Sequence, residues 1–136
     1  MSTSEPYKAS IRDLLRVPGT EDQFGQGVMD RVLLIYNLLK KTGRTCTYCG
    51  RKLDPTMYGK TDTMLGQIAG GWEKEHWIPL DRGGKDEDRN WWPACFMCNR
   101  GEGTGKGTMT GREYLAWRKR NGHAVNEAMY ARVLGR

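Results

Sequence analysis

The chain has 136 residues, with 22 Lys and Arg against 16 Asp and Glu, which gives a formal net charge of +6. Its length fits a single domain over residues 1–136. No apolar run approaches the ~20 residues that span a membrane, and the polar N-terminus MSTSEPYK lacks a signal-peptide stretch. We therefore expect a cytoplasmic protein without a membrane partner. The charge favours a polyanionic partner, although charge alone fits a role in solubility equally well.

The first part of the chain, residues 1–43, predicts a helical scaffold. Residues 10–16 form a short predicted helix. From about Gly27 to Lys41, apolar residues recur at three- and four-residue steps, which predicts the main amphipathic helix. Gly43 is suited to end it, because glycine adopts the left-handed conformation of a helix C-cap without strain.

The middle part, residues 44–105, predicts a metal-binding core. It begins with the tight turn TCTYCGRK, and a loop follows to about residue 71. A strand is predicted from about Lys74, and a second strand returns at residues 90–94. A short helix is predicted at residues 95–99.

The last part, residues 106–136, predicts C-terminal helices after a glycine-rich segment. Thr110 and Glu113 have the spacing of a capping box, so one helix should run from there to about residue 121. A final helix is predicted over residues 125–134.

The four cysteines form two Cys-x-x-Cys pairs that lie 45 residues apart, Cys46 with Cys49 and Cys95 with Cys98. Each pair can hold one side of a tetrahedral ion, and four thiolates make a closed structural zinc site. Such a site has no open position for water, so we assign it no catalysis. The alternative is a set of buried thiols without a ligand.

One of the two histidines, His76, belongs to a spaced motif of polar residues. The chain reads EHWIPLDRGG around His76, then Asn90, then CFMCN ending at Asn99. This pattern resembles that of the HNH nuclease family, and CNRGEG is similar to its zinc-bearing endonuclease VII branch. The resemblance covers about residues 44–105. It implies an α+β fold with a ββα-metal core, the His-Me finger, which contains a four-cysteine zinc site and is flanked by α-helices.

The resemblance also implies a role for each residue of the pattern. A neutral imidazole at position 76 takes a proton from water, since histidine has an ordinary pKa of about 6.5. Glu75 and Asn99 offer oxygen ligands to one Mg²⁺ or Mn²⁺ ion. Asn90 is expected to hydrogen-bond across the hairpin loop and hold His76 in place. Glu102 is either a third, water-mediated ligand or a solvated carboxylate.

Two positions of this pattern differ from the commoner residues of the family. Glu75 replaces the commoner Asp, and Asn99 stands where many members have His. In addition, neighbours on a flat strand point to opposite faces. Glu75 and His76 therefore share a site only if the strand bends or if they act from different sides of the phosphate.

The function implied is a metal-dependent endonuclease that cuts or nicks DNA, in a small protein similar to those of phage genomes. A set of basic residues near the pattern is predicted to contact DNA phosphates: Arg82, Lys85, Arg89, Arg100 and Lys106. One alternative is a non-catalytic zinc module that binds nucleic acid. Another is an accessory protein whose partner is a phage DNA-packaging protein.

Overall fold

The computed structural model describes residues 26–60, 70–101 and 103–135. The helix predicted at residues 10–16 and the residue Glu102 lie outside these ranges. The helices and strands, in chain order, are α1 (Gln26–Lys40), β1 (Trp72–His76), β2 (Trp91–Cys95), α2 (Phe96–Arg100), α3 (Gly111–Arg120) and α4 (Glu127–Leu134).

The centre of the fold is a two-stranded antiparallel hairpin followed directly by a short helix. His76 pairs with Trp91 at the loop end of the hairpin, and Trp72 pairs with Cys95 at the other end. α2 begins at Phe96, immediately after β2. The predicted α+β class and the ββα core, with the four cysteines beside it, are confirmed.

The loop between the strands explains the paired glycines of the sequence. Gly83 has a φ of 87°, a left-handed conformation that favours glycine. At Gly84, an added Cβ would lie 1.8 Å from the carbonyl oxygen of Ile78. Any side chain there would push the two sides of the loop apart, so the close return of the chain depends on this glycine.

The hydrophobic core lies between α1 and the hairpin. Val32, Ile35, Leu38 and Leu39 form the buried face of α1, whereas Leu33, which the sequence spacing placed on the apolar face, is 52% exposed. Beyond the end of α1, Lys41 donates a hydrogen bond of 2.7 Å to the carbonyl oxygen of Trp91. The long helix therefore supports the strand that faces His76.

The two C-terminal helices close the fold around the cysteine turn. The capping box at Thr110 is present and starts α3. Asn126 caps α4, so this helix begins two residues later than Val125. Asn126 also donates from Nδ2 to the Cys46 carbonyl oxygen at 3.0 Å. None of the helices in residues 26–60, 70–101 and 103–135 has the length and apolarity needed to cross a bilayer.

Candidate functional site

The four cysteine sulfurs converge on one point, as the sequence predicts. All four Sγ atoms lie within 4.8 Å of one another. The Sγ atoms of Cys49 and Cys95 are 3.7 Å apart, and zinc with four thiolates at about 2.3 Å requires sulfur separations of about 3.8 Å. The cluster is therefore arranged to bind a metal ion, and an all-sulfur donor set fits zinc.

Burial and hydrogen bonds shift the pKa values of Cys46 and Cys49 in opposite directions. The backbone N–H groups of Tyr48 and Cys95 each donate to Cys46 Sγ at 3.4 Å. The hydrogen bond with Cys46 lowers the pKa of Cys49 to about 7, although burial raises the pKa of Cys46. A thiol with a lowered pKa is a ready metal ligand. The cluster joins the turn after α1 to the junction of β2 and α2.

His76 stands at the end of β1 with a quarter of its side chain exposed. Its Nε2 atom lies 2.9 Å from Oδ1 of Asp86, in the loop of the hairpin. Asp86 was not predicted as part of the site, because its sequence context, KDEDR, reads as a solvated charged turn.

Glu75 is buried and held by two partners. Its Oε2 accepts a hydrogen bond of 2.6 Å from the Tyr48 hydroxyl, and its Oε1 lies 2.7 Å from Lys106 Nζ. Burial raises the pKa of Glu75, and the charge of Lys106 is the main opposing influence. Lys106 Nζ also donates to the carbonyl oxygen of His76 at 2.9 Å. This ammonium group therefore connects both predicted site residues.

Glu75 and His76 border the same open cleft, which has a volume of ≈ 320 Å³. Asn99, Asp81 and Lys106 also line it. Glu75 is buried, whereas a quarter of the His76 side chain is exposed. The cleft thus brings together three of the four residues of the predicted site.

Asn90, the fourth residue, lies beneath the loop. Its Oδ1 accepts from the Ile78 N–H at 2.8 Å, and its Nδ2 donates to the carbonyl oxygens of Ile78 and Lys85, both at 2.9 Å. Its own carbonyl oxygen accepts from the Trp77 N–H at 2.8 Å. Asn90 therefore ties together the two sides of the loop that follows His76.

Three residues that line the cleft carry oxygen donors. Glu75, Asn99 and Asp81 offer carboxylate and amide oxygens, which are the ligands that Mg²⁺ prefers. Asn99 directs its Nδ2 to Glu73 Oε1 at 2.8 Å, which orients the amide. Lys106 already supplies a positive charge at Glu75, so a divalent ion has to share this carboxylate with it or displace it.

The predicted DNA-contacting residues do not all lie on the surface. The side chain of Lys106 is 3% exposed and pairs with Glu75, so it is not an exposed phosphate contact. Three of the others form ion pairs: Arg82 with Glu113, Arg89 with Glu87, and Arg100 with Glu73. Lys85 is exposed and has no ion pair among the residues that the structure describes.

Comparison with known proteins finds a family model that matches the middle of the chain. Residues 46–105 match the family model described as HNH endonuclease. The matched segment contains the four cysteines together with Glu75, His76, Asn90 and Asn99. No curated protein and no solved structure matches the chain.

Proposed function

We propose that this chain, whose residues 46–105 match the HNH endonuclease family model, hydrolyses phosphodiester bonds of DNA with one divalent cation. The observation that carries the proposal is the cleft that His76, Glu75 and Asn99 line together. A base and a cation site on one cleft are what phosphodiester hydrolysis requires.

In the proposed reaction, the imidazole of His76 takes a proton from a water molecule. The oxygen of that water forms a bond to phosphorus, the bond between phosphorus and the 3′ oxygen breaks, and the 3′ oxygen takes a proton from solvent. The products have 5′-phosphate and 3′-hydroxyl ends. A Mg²⁺ or Mn²⁺ ion held by Glu75 and Asn99 would neutralise the phosphate and stabilise the departing oxygen.

The remaining residues of the pattern hold this arrangement in place. The hydrogen bonds of Asn90 support the proposal that it fixes the backbone beside His76, since a base displaced by about 1 Å loses much of its effect. The four-cysteine cluster, with zinc bound, would have a structural role, because four protein ligands leave no position for water.

DNA binding is proposed for the exposed basic side chains around the hairpin loop. Lys85 is the strongest candidate, since it is exposed and makes no ion pair among the described residues. Arg82 and Arg89 would exchange a half-exposed carboxylate partner for a phosphate, a change of small cost. Arg100 would have to leave Glu73, whose side chain is 18% exposed. Binding of this kind is independent of sequence and weakens steeply with salt.

One observation favours a second candidate function. Glu75 is already neutralised by a buried ammonium group, that of Lys106, and such a carboxylate attracts a divalent ion less strongly. A zinc-containing module that binds nucleic acid, or an accessory of DNA packaging, needs no catalytic ion. In this alternative the residues of the cleft only stabilise the fold.

A plasmid assay distinguishes the two functions. Zinc-loaded protein is incubated with supercoiled DNA, with and without Mg²⁺ or Mn²⁺, and nicked and linear products are measured. We expect cutting that requires the divalent ion and falls about 10²- to 10⁴-fold in His76→Ala. His123→Ala, which changes the only other histidine, is the matched control and should cut normally. DNA binding without cutting under any divalent ion would favour the second candidate.

A further inference from the structure

We propose that Asp86 is a positioning residue that holds the imidazole of His76 by Nε2 and thereby leaves Nδ1 as the atom that takes the proton from water. The inference rests on the proposed nuclease function and identifies which ring nitrogen acts and what orients it.

The contact between the two side chains fixes the position of one proton. An ionised carboxylate only accepts hydrogen bonds, so the ring nitrogen that faces it must be the donor. Nε2 of His76 lies 2.9 Å from Asp86 Oδ1 and therefore carries the proton. In a neutral imidazole the other nitrogen, Nδ1, then has the free lone pair. It makes no hydrogen bond to any residue in 26–60, 70–101 or 103–135.

The carboxylate of Asp86 is itself held by both strands. Trp91, the partner of His76 across the hairpin, donates from its indole Nε1 to the same Oδ1 at 2.8 Å. Lys74 Nζ lies 3.7 Å from this oxygen and 4.0 Å from the centre of the Trp91 ring. An isolated surface aspartate has no such set of donors. These contacts keep Asp86 ionised, since the hydrogen bonds from His76 and Trp91 lower its pKa.

The arrangement constrains a side chain that would otherwise rotate. His76 is the last residue of β1, and a quarter of its side chain is exposed. Packing alone therefore restricts the ring only in part. The bond to Asp86 fixes the ring from the loop side, while Lys106 holds the backbone carbonyl of the same residue. Without Asp86 the ring would be free to rotate away from this orientation.

The test combines imidazole NMR with steady-state kinetics. In ¹⁵N-labelled protein at about pH 8, wild type should show a His76 ring protonated at Nε2, with a protected Nε2 proton. His123→Gln removes the only other imidazole and assigns the signal. Asp86→Ala should lose this protected proton. It should also lower kcat about 10- to 100-fold, the scale of a misplaced catalytic group, with KM changed less than about twofold.

Two variants separate positioning from a general effect of charge. Asp86→Asn keeps an oxygen that accepts from Nε2 and should retain the protected proton and most of kcat. Glu87→Ala removes the neighbouring carboxylate, which pairs with Arg89 and not with His76, and should behave as wild type. Melting temperature and zinc content of each variant report whether it is folded.

The outcomes distinguish this inference from the proposed function. A wild-type ring protonated at Nδ1, or an Asp86→Ala variant with unchanged kcat, would overturn the inference while nuclease activity stands. A wild type that shows the protected Nε2 proton, lost in Asp86→Ala, but never cuts DNA would overturn the nuclease function. That result would still support Asp86 as the group that orients the ring.

Discussion

The buried ion pair between Lys106 and Glu75 leads to the most demanding prediction. Lys106→Met removes an ammonium group 2.7 Å from Glu75 Oε1 and keeps a side chain of similar length. The two side chains are 3% and 6% exposed. Removing one partner of a buried pair costs about 3–5 kcal/mol. The hydrogen bond from Tyr48 remains, so we expect a loss near the lower end, about 3 kcal/mol in the free energy of unfolding.

The cost should increase with pH. Burial raises the pKa of Glu75, and loss of Lys106, the main opposing influence, raises it further. A carboxyl group with a raised folded pKa stabilises the fold when protonated. This contribution is complete below the unfolded pKa of about 4.3 and is lost as pH rises through the folded value. The difference in unfolding free energy between variant and wild type should therefore grow as pH rises above about 4.3.

Urea unfolding of zinc-loaded protein, followed by tryptophan fluorescence without Mg²⁺, measures this effect. Lys119→Met is the matched control, because its ammonium is 50% exposed and pairs with Glu127 at 3.6 Å. It should change stability by less than about 1 kcal/mol. Millimolar Mg²⁺ should restore part of the loss in Lys106→Met by neutralising Glu75. A cost equal to that of the control, or one that does not increase with pH, would refute the buried pair.

Three further substitutions test the four-cysteine cluster, the hairpin loop and the hydrogen bonds that Asn90 makes to that loop. Cys98→Ser should abolish zinc binding and leave the chain unfolded by circular dichroism, because a structural zinc contributes on the order of 10 kcal/mol; a folded, zinc-free variant would contradict this. Gly84→Ala should lower the melting temperature, since its Cβ would lie 1.8 Å from a backbone oxygen, whereas Gly27→Ala, with nothing within 4 Å, should raise it slightly. Asn90→Ala should lower the free energy of unfolding in urea by about 2–4 kcal/mol, because three hydrogen bonds are lost. Asn121→Ala, which loses one exposed hydrogen bond, is the control. A loss in Asn90→Ala no greater than that in the control would contradict the prediction.

Local patterns in the sequence were sufficient for the main elements. The apolar spacing from Gly27 to Lys41 predicts α1 to within one residue at each end, and the capping box predicts the start of α3. The two Cys-x-x-Cys pairs predict the cluster. Two element boundaries differ from the prediction by two residues. The helix α4 begins after its cap at Asn126, two residues later than the predicted Val125. The strand β1 begins at Trp72, two residues before the predicted Lys74.

The parts of the site that the sequence did not predict depend on contacts between distant residues. Lys106 stands in a run of glycines and reads as an exposed cation, yet it pairs with a residue 31 positions earlier. Asp86 stands among other charges, and only the closed loop brings it to His76. Neither pairing has a local signature, because burial and distance arise from the tertiary fold.

Anomalous diffraction from crystals grown with zinc and soaked in Mn²⁺ tests most directly whether the protein holds a structural zinc and a separate divalent ion in the cleft. We expect a zinc peak within bonding distance of all four cysteine sulfurs, and a manganese peak on oxygen atoms of Glu75 and Asn99 in the cleft beside His76. A cleft without manganese at millimolar concentration, with Lys106 still paired to Glu75, would contradict a cation-dependent nuclease at this site.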